Sequence, residues 1–275
     1  MTAAQQVLIV GCPRSGTTLL QCMLGAHSRV LTFPESHALG ALLTPNRLLR
    51  MMGLASRPNI ARMRRFLAEI GAVPPRALRY PISARRSVRL FCESLDDLAT
   101  REDRSCWVEK TPAHIYSVPR LERWVPELRF VHVVREGADT IASHYEATHR
   151  HPEEFGGGIS VDRAIDIWKK SIEISRQCEG TRRHTIVRYD QLVTQPERSL
   201  KRICTDLGLT YEPAMRHAYG HQYEQSGASA EPWKLEVGKP LRLSRGEKFE
   251  SVFEAGQRGY ILERIRDVAL PGVVD

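Results

Sequence analysis

The sequence predicts an α/β fold in which a parallel sheet is flanked by helices and interrupted by a helical, arginine-rich insert. Three observations carry that expectation. Short β-branched runs alternate with helical stretches, the pattern of strand–helix–strand units that builds parallel sheets. The first run, Val7-Leu8-Ile9-Val10, is apolar without alternation, as a strand buried on both faces reads. It passes straight into a glycine loop and a helix, in VLIVGCPRSGTTLL, residues 7–20.

The first strand is expected over Val7 to Val10 and its helix over about Gly16 to His27, followed by an extended piece from Val30 to Phe33. Residues 40–105 differ in character. Eleven of its thirteen arginines (Arg47, Arg50, Arg57, Arg62, Arg64, Arg65, Arg76, Arg79, Arg85, Arg86 and Arg89) stand among prolines, with helices expected around 60–70 and 87–99. This insert reads either as a solvated face or as a lid on the acceptor side. Strands resume at Cys106–Lys110 and Arg129–Val134, and a helix follows over about 137–149. Glu153 to Ser160, with its glycines at 156–158, predicts a mobile loop, and the periodicity then predicts a helix over about 161–178. A strand at 185–189, a helix at 196–207 ended by Gly208, and a last helix at about 251–268 complete the order. Tyr219 to Pro240 reads as irregular and could fold over a ligand. The whole is expected to be one domain, residues 1–275.

The chain has 275 residues and a net charge of +8, which suits a polyanionic partner without choosing one. Its six cysteines (Cys12, Cys22, Cys92, Cys106, Cys178, Cys204) are scattered, with no zinc-ligand spacing. They read as reduced thiols in a cytoplasmic protein; Cys12, inside the glycine loop, reads as an accessible thiol or a small filler. No signal peptide or apolar run long enough to span a membrane is visible.

Gly11 and Gly16 have the Walker A spacing of a P-loop NTPase-like fold, but Thr17 stands where that motif needs lysine. Backbone N–H groups at a helix start still cradle an anion. Arg14 supplies planar donors, and Thr17 and Thr18 supply hydroxyls. Such a loop suits a phosphate held without an obligatory metal.

Pro13-Arg14-Ser15-Gly16-Thr17-Thr18 resembles the 5′-phosphosulfate loop of sulfotransferases that use 3′-phosphoadenosine 5′-phosphosulfate (PAPS). FVHVVREGADTIASHY, residues 130–145, resembles the same family's 3′-phosphate motif, R-E/D-G-x-D-x-x-x-S, with Arg135 and Ser143 at the motif's arginine and serine. Glu109-Lys110-Thr111-Pro112, Val187-Arg188-Tyr189-Asp190 and Lys239-Pro240 with Lys248-Phe249 resemble further elements of the branch that includes tyrosylprotein and related bacterial sulfotransferases. The motifs run from about residue 7 to 250, apart from the insert and residues 219–235.

The resemblance implies PAPS as donor, 3′,5′-adenosine bisphosphate as product and no metal. It implies that Ser15, Gly16, Thr17 and Thr18 hold the 5′-phosphate, and that Arg135, Ser143 and Lys239 hold the 3′-phosphate, with Tyr189 near the nucleotide. Arg14 and Lys110 would stabilise the leaving group. Glu35 is the expected general base and His37 its rival; His27, His114 and His144 are further histidines weighed for that role. Trp107, Trp124 and Trp168 read as core residues, Trp107 alternatively as a neighbour of the adenine. The acceptor is expected to be a hydroxyl on a small molecule, sugar, lipid or peptide, and the oligomeric state is open. Two other classes compete. A metal-dependent P-loop kinase is disfavoured by Thr17 and by Arg135 where an acidic strand end would stand. A nucleic-acid-binding module is disfavoured by the lack of aromatic-interleaved basic patches.

Overall fold

The computed structural model describes residues 4–80, 82–217, 220, 243 and 246–272. Five parallel strands form the sheet, in the order β2-β3-β1-β4-β5: β1 (Gln5–Gly11), β2 (Val30–Phe33), β3 (Cys106–Lys110), β4 (Arg129–Val134) and β5 (His184–Arg188). β1 is central and buried from Gln6 onward, which explains its unbroken apolar run. The register pairs Ile9 with Lys110 and Gly11 with Val133, so the loop, Lys110 and Arg135 all leave the sheet at its carboxyl edge. Ligands of open parallel sheets bind at that edge.

Helices cover both faces. α1 (Thr17–Gly25) follows the loop, and its buried Leu19, Leu20, Met23 and Leu24 join Val7, Ile9 and Val131 in one core cluster. α2 (Arg47–Met51), α3 (Arg57–Glu69) and α4 (Ala84–Arg101) build the arginine-rich segment. α4 starts on a Ser83 cap, whose Oγ accepts from Arg86 N at 3.2 Å. It buries Val88, Phe91, Cys92, Leu95, Leu98 and Ala99, a helical stripe packed over the opposite face with Leu8, Val10 and Trp107. Full burial of each such Leu or Phe contributes about 1.5–3 kcal/mol. The arginines take the other side of these helices.

α5 (Val118–Trp124) precedes β4, and α6 (Gly137–Arg150) follows it. α7 (Pro152–Phe155) is a single turn in the stretch read as a loop. α8 (Val161–Gln177), α9 (Tyr189–Thr194), α10 (Pro196–Leu207) and α11 (Ala214–His217) come next, and Gly208 ends α10 at φ 65° as expected. The last predicted helix is two, α12 (Glu247–Val252) and α13 (Ala255–Ile265), parted at Phe253 and Glu254. Tyr189 is not the end of a strand but the first residue of α9. Lys239 and the 219–240 loop, except Gly220, lie outside the described residues.

All six cysteines are buried free thiols, and burial pushes Cys12 up to about 12, the filler alternative. Trp107 and Trp168 are core side chains, with 0% and 2% exposure. Trp107 donates to Asp96 Oδ1 at 2.7 Å. No helix among the described residues is long and apolar enough to cross a membrane.

Candidate active site

The glycine loop turns on a Ser15 N to Cys12 O hydrogen bond of 3.1 Å. Gly11 is required because a Cβ there would lie 2.5 Å from Val133 O of the next strand. Gly16 caps α1 at φ 97°, a conformation open to glycine, and no side chain caps the helix start. The amides and the positive dipole end therefore face a position that calls for an anion. Ser15 Oγ supports this: the residue is fully buried and the hydroxyl has no hydrogen-bond partner. An orphaned buried donor at a helix start fits a phosphate. Thr17 and Thr18 are also buried there.

Lys110, 1% exposed, projects from the end of β3 beside this loop. Its Nζ donates to Thr18 Oγ1 at 3.1 Å and pairs with Glu35 Oε1. Glu35 follows β2, whose end is tied to α1 by Gln21 Nε2 donating to Phe33 O at 2.5 Å. His37 Nε2 lies 3.6 Å from the other Glu35 oxygen. Desolvation lowers the His37 pKa, with Glu35 opposing the shift. The structure thus gathers three of the four expected catalytic residues, Glu35, Lys110 and His37, at the side of the loop that Thr18 faces.

Arg14 goes the other way. Its Nε donates to Ser143 Oγ at 3.2 Å, and its carbonyl accepts from Arg135 Nη1 at 3.3 Å. The Arg135 guanidinium lies over the Tyr189 ring, 4.4 Å from its centre, and Tyr189 in turn fills the space beside Gly16. The loop and the Arg135–Ser143 pair are therefore one contact network. Arg14 and His37 hold left-handed backbones, φ 72° and φ 49°, and only Asp103 joins them among described non-glycine residues. Such conformations cost of order 1–3 kcal/mol and gather at functional sites.

Three residues to which sequence reasoning assigns no part in the site, Trp168 among them as an expected core residue, position this machinery. Asp139 accepts from Gly246 N at 3.2 Å and Phe249 N at 3.3 Å, capping α12, while Arg135 Nη2 stands 3.6 Å away. Its place inside the 3′-phosphate motif was the available signal. Trp168 Nε1 donates to Arg135 O at 3.0 Å. Glu109, fully buried, accepts from Ser36 N (3.0 Å), Ser36 Oγ (2.9 Å) and Thr111 Oγ1 (2.6 Å), and His114 Nδ1 lies 3.1 Å away. Leu39 N donates to His114 Nε2 at 3.0 Å, which leaves Nδ1 to carry the proton toward Glu109. Burial alone would raise the Glu109 pKa, but His114, Thr111 and Ser36 together leave it lowered. This buried cluster fixes the turn that carries Glu35 and His37.

The remaining histidines stand elsewhere. His27 is buried, with Nε2 2.8 Å from Thr210 O. Burial, with Arg14 adding, pushes His144 down to about 4. His132, Cys178 and His184 form a cluster of metal-ligand type, but three of the four ring nitrogens lie in a hydrogen-bonded row, Ser175 Oγ to His132 Nδ1 at 3.1 Å and His132 Nε2 to His184 Nδ1 at 2.9 Å, while His184 Nε2 makes no hydrogen bond and stands 3.4 Å from Glu122 Oε1. A neutral hydrogen-bonded chain accounts for them.

Comparison with known proteins gives the family and the fold. The profile described as "Sulfotransferase family" matches residues 6–213. Protein-tyrosine sulfotransferase 2 of Gallus gallus is 27% identical over 225 residues, covering 77% of this chain and 53% of that protein. Protein-tyrosine sulfotransferase 1 of Danio rerio is 28% identical over 214 residues, covering 77% and 55%. The chain spans about half the length of the curated relatives it matches. In fold it is similar to the sulfotransferase domain from the curacin biosynthetic pathway, with a TM-score of 0.57 at 19% identity over 98% of this chain and 100% of that one. It is also similar to retinol dehydratase in complex with retinol and PAP, with a TM-score of 0.51 at 10% identity over 100% and 84%. The chain belongs to the sulfotransferase family.

Proposed function

We propose that this protein is a PAPS-dependent sulfotransferase that moves a sulfuryl group in line onto an acceptor hydroxyl. The observation that carries the reading is Lys110, which joins the phosphate loop at Thr18 to the carboxylate of Glu35. An ammonium has three donors, so it can hold a carboxylate and an anionic oxygen at once. That is the arrangement sulfuryl transfer needs: a base for the acceptor proton, and a cation for charge that develops on the leaving oxygen.

The loop amides with Ser15, Gly16, Thr17 and Thr18 would hold the 5′-phosphate, and Arg135, with Ser143, would hold the 3′-phosphate. The orphaned Ser15 hydroxyl and the uncapped start of α1 fit that group. Arg14, seated on Ser143, would connect the two subsites. The donor would supply an activated sulfuryl group: Glu35 would take the proton from the acceptor oxygen as its bond to sulfur forms, while the bond from sulfur to the bridging oxygen of the 5′-phosphate breaks and 3′,5′-adenosine bisphosphate leaves. Pairing with Lys110 fixes the carboxylate's position, which is worth much of the rate in a step governed by alignment. The moving group carries less charge than a phosphoryl group, so Lys110 and the loop can offset it.

The relatives' names make a protein tyrosine the first acceptor to try, with phenols, sugars and lipid alcohols beside it. The test is transfer of label from ³⁵S-PAPS to that panel. Label entering a hydroxyl acceptor is expected, with Glu35→Ala lowering turnover about 10²-fold or more while nucleotide affinity holds. Unchanged turnover of Glu35→Ala with both substrates saturating would remove Glu35 as the base.

A further inference from the structure

The net positive charge of this protein comes from one segment. Residues 40–92 contain eleven arginines, no lysine and a single acid, Glu69, an excess larger than the +8 of the whole chain. Ten of the eleven arginines are exposed, and Arg64 is half-buried. Glu69 is already taken by Arg65, at 3.5 Å.

Among the described residues, the same segment carries the largest group of exposed apolar side chains. Leu48, Met51 and Met52 are 73%, 78% and 72% exposed, and Leu49 adjoins them. All lie on or beside α2, of which no residue is buried. This is not a frayed excursion. Asn46 caps the helix, accepting from Leu49 N at 3.2 Å. Its base is closed by Thr44 N to Leu54 O (3.2 Å) and Ser56 N to Leu42 O (3.0 Å), and is tied to α4 by Ala84 N to Gly53 O (2.8 Å). A firmly held tip of exposed Leu and Met, rimmed by Arg47, Arg50 and Arg57, costs hydration and gains nothing within the chain.

We propose that this tip docks the protein onto an anionic lipid surface, α2 lying in the interface with its apolar side chains among the acyl chains and the arginines on the headgroups. The charge complementarity is with a polyanionic plane, and the shape is with a soft one. A folded acidic partner would meet these residues with a groove, whereas on and beside α2 Leu48, Met51 and Met52 stand largely exposed, and the unbranched Met side chains adapt to a soft surface. Interfacial helices combine apolar burial with basic residues in this way. The proposal stands independently of the donor and the reaction.

The test is sedimentation of the purified chain with vesicles of phosphatidylcholine alone and of phosphatidylcholine mixed with phosphatidylglycerol. Binding is expected to the mixed vesicles, weaker with rising salt. Each arginine at such a surface is worth about five-fold in affinity, so Arg47→Gln/Arg50→Gln should weaken binding roughly 25-fold. Leu48→Asp/Met51→Asp should abolish it; both positions are exposed, so circular dichroism and thermal unfolding should stay as in wild type. Equal binding to neutral vesicles, no binding to anionic ones at low salt, or wild-type binding by the aspartate variant would overturn the proposal. Tighter binding to soluble polyglutamate than to mixed vesicles would also overturn it and assign the face to an acidic protein.

Discussion

Gly16→Ala should damage both phosphate subsites through one methyl group. The new Cβ would stand 2.3 Å from Tyr189 Cδ2 and 2.6 Å from Cε2, far inside contact distance, so the ring must move. Tyr189 is the platform beneath the Arg135 guanidinium, 4.4 Å away. Moving it forfeits a cation–π contact worth about 0.5–2 kcal/mol and releases Arg135 from its place. The left-handed backbone of Gly16, φ 97°, adds about 1–2 kcal/mol of strain for any residue with a Cβ. Strain and clash should appear in thermal unfolding. The displacement of Arg135 should appear as at least about tenfold weaker 3′,5′-adenosine bisphosphate in calorimetry, the equivalent of about 1.4 kcal/mol. The double variant Gly16→Ala/Tyr189→Ala separates the causes, since removing the ring removes the clash and leaves the strain. Gly16→Ala should therefore cost less in the Tyr189→Ala background than in wild type, by more than the ~0.5 kcal/mol within which independent sites add. Additive costs, or wild-type stability of Gly16→Ala, would refute the reasoning.

Three other outcomes follow from the site and the core. Arg135→Ala should weaken 3′,5′-adenosine bisphosphate by about 10²-fold, as for loss of a charge-assisted pair, and adenosine 5′-phosphate far less; equal losses would contradict its role. Glu109→Gln places an amide donor among the Ser36, Thr111 and His114 donors, at about 1–3 kcal/mol, and should lower turnover while bisphosphate affinity stays near wild type; unchanged turnover would show that the Ser36–His37 turn does not need Glu109. Burial holds His132 and His144 at about 3 and about 4, both below the ordinary 6.5. Their neutral forms stabilise the fold fully above pH 6.5, and that stability is lost as pH falls toward those values. At pH 5 each costs about 2 kcal/mol, so the melting point should drop by roughly 8–16 °C from its value at pH 7.5. His132→Asn should show about half that drop, and a drop as steep as in wild type would contradict the assignment.

The central strand, its loop and the Arg135–Ser143 helix were legible because each is a contiguous run whose spacing states its own geometry. Gly11, Arg135 and Ser143 sit where their motifs put them, at one edge of the sheet. What was not legible depends on distance in the chain. The Arg14–Ser143 contact joins residues 129 apart, and nothing in either motif foretells that the loop arginine lies on the other clamp. Glu109 reads as one acid in a short strand; only the fold brings Ser36 and His114 to its two oxygens. Tyr189 reads as the end of a strand because Thr185, Ile186, Val187 and Tyr189 all favour strands, whereas the chain turns into α9 at that residue. In the insert, arginine periodicity revealed the helices α3 and α4. The exposed face of α2 has no periodic signature in five residues.

The account rests on the loop and the Arg135 pair serving one nucleotide, and a crystal structure with 3′,5′-adenosine bisphosphate tests that most directly. The account predicts the 5′-phosphate on the amides of Ser15 to Thr18 and the 3′-phosphate against Arg135 and Ser143. A bisphosphate bound away from either group, or ATP with magnesium held in the loop in its place, would contradict it.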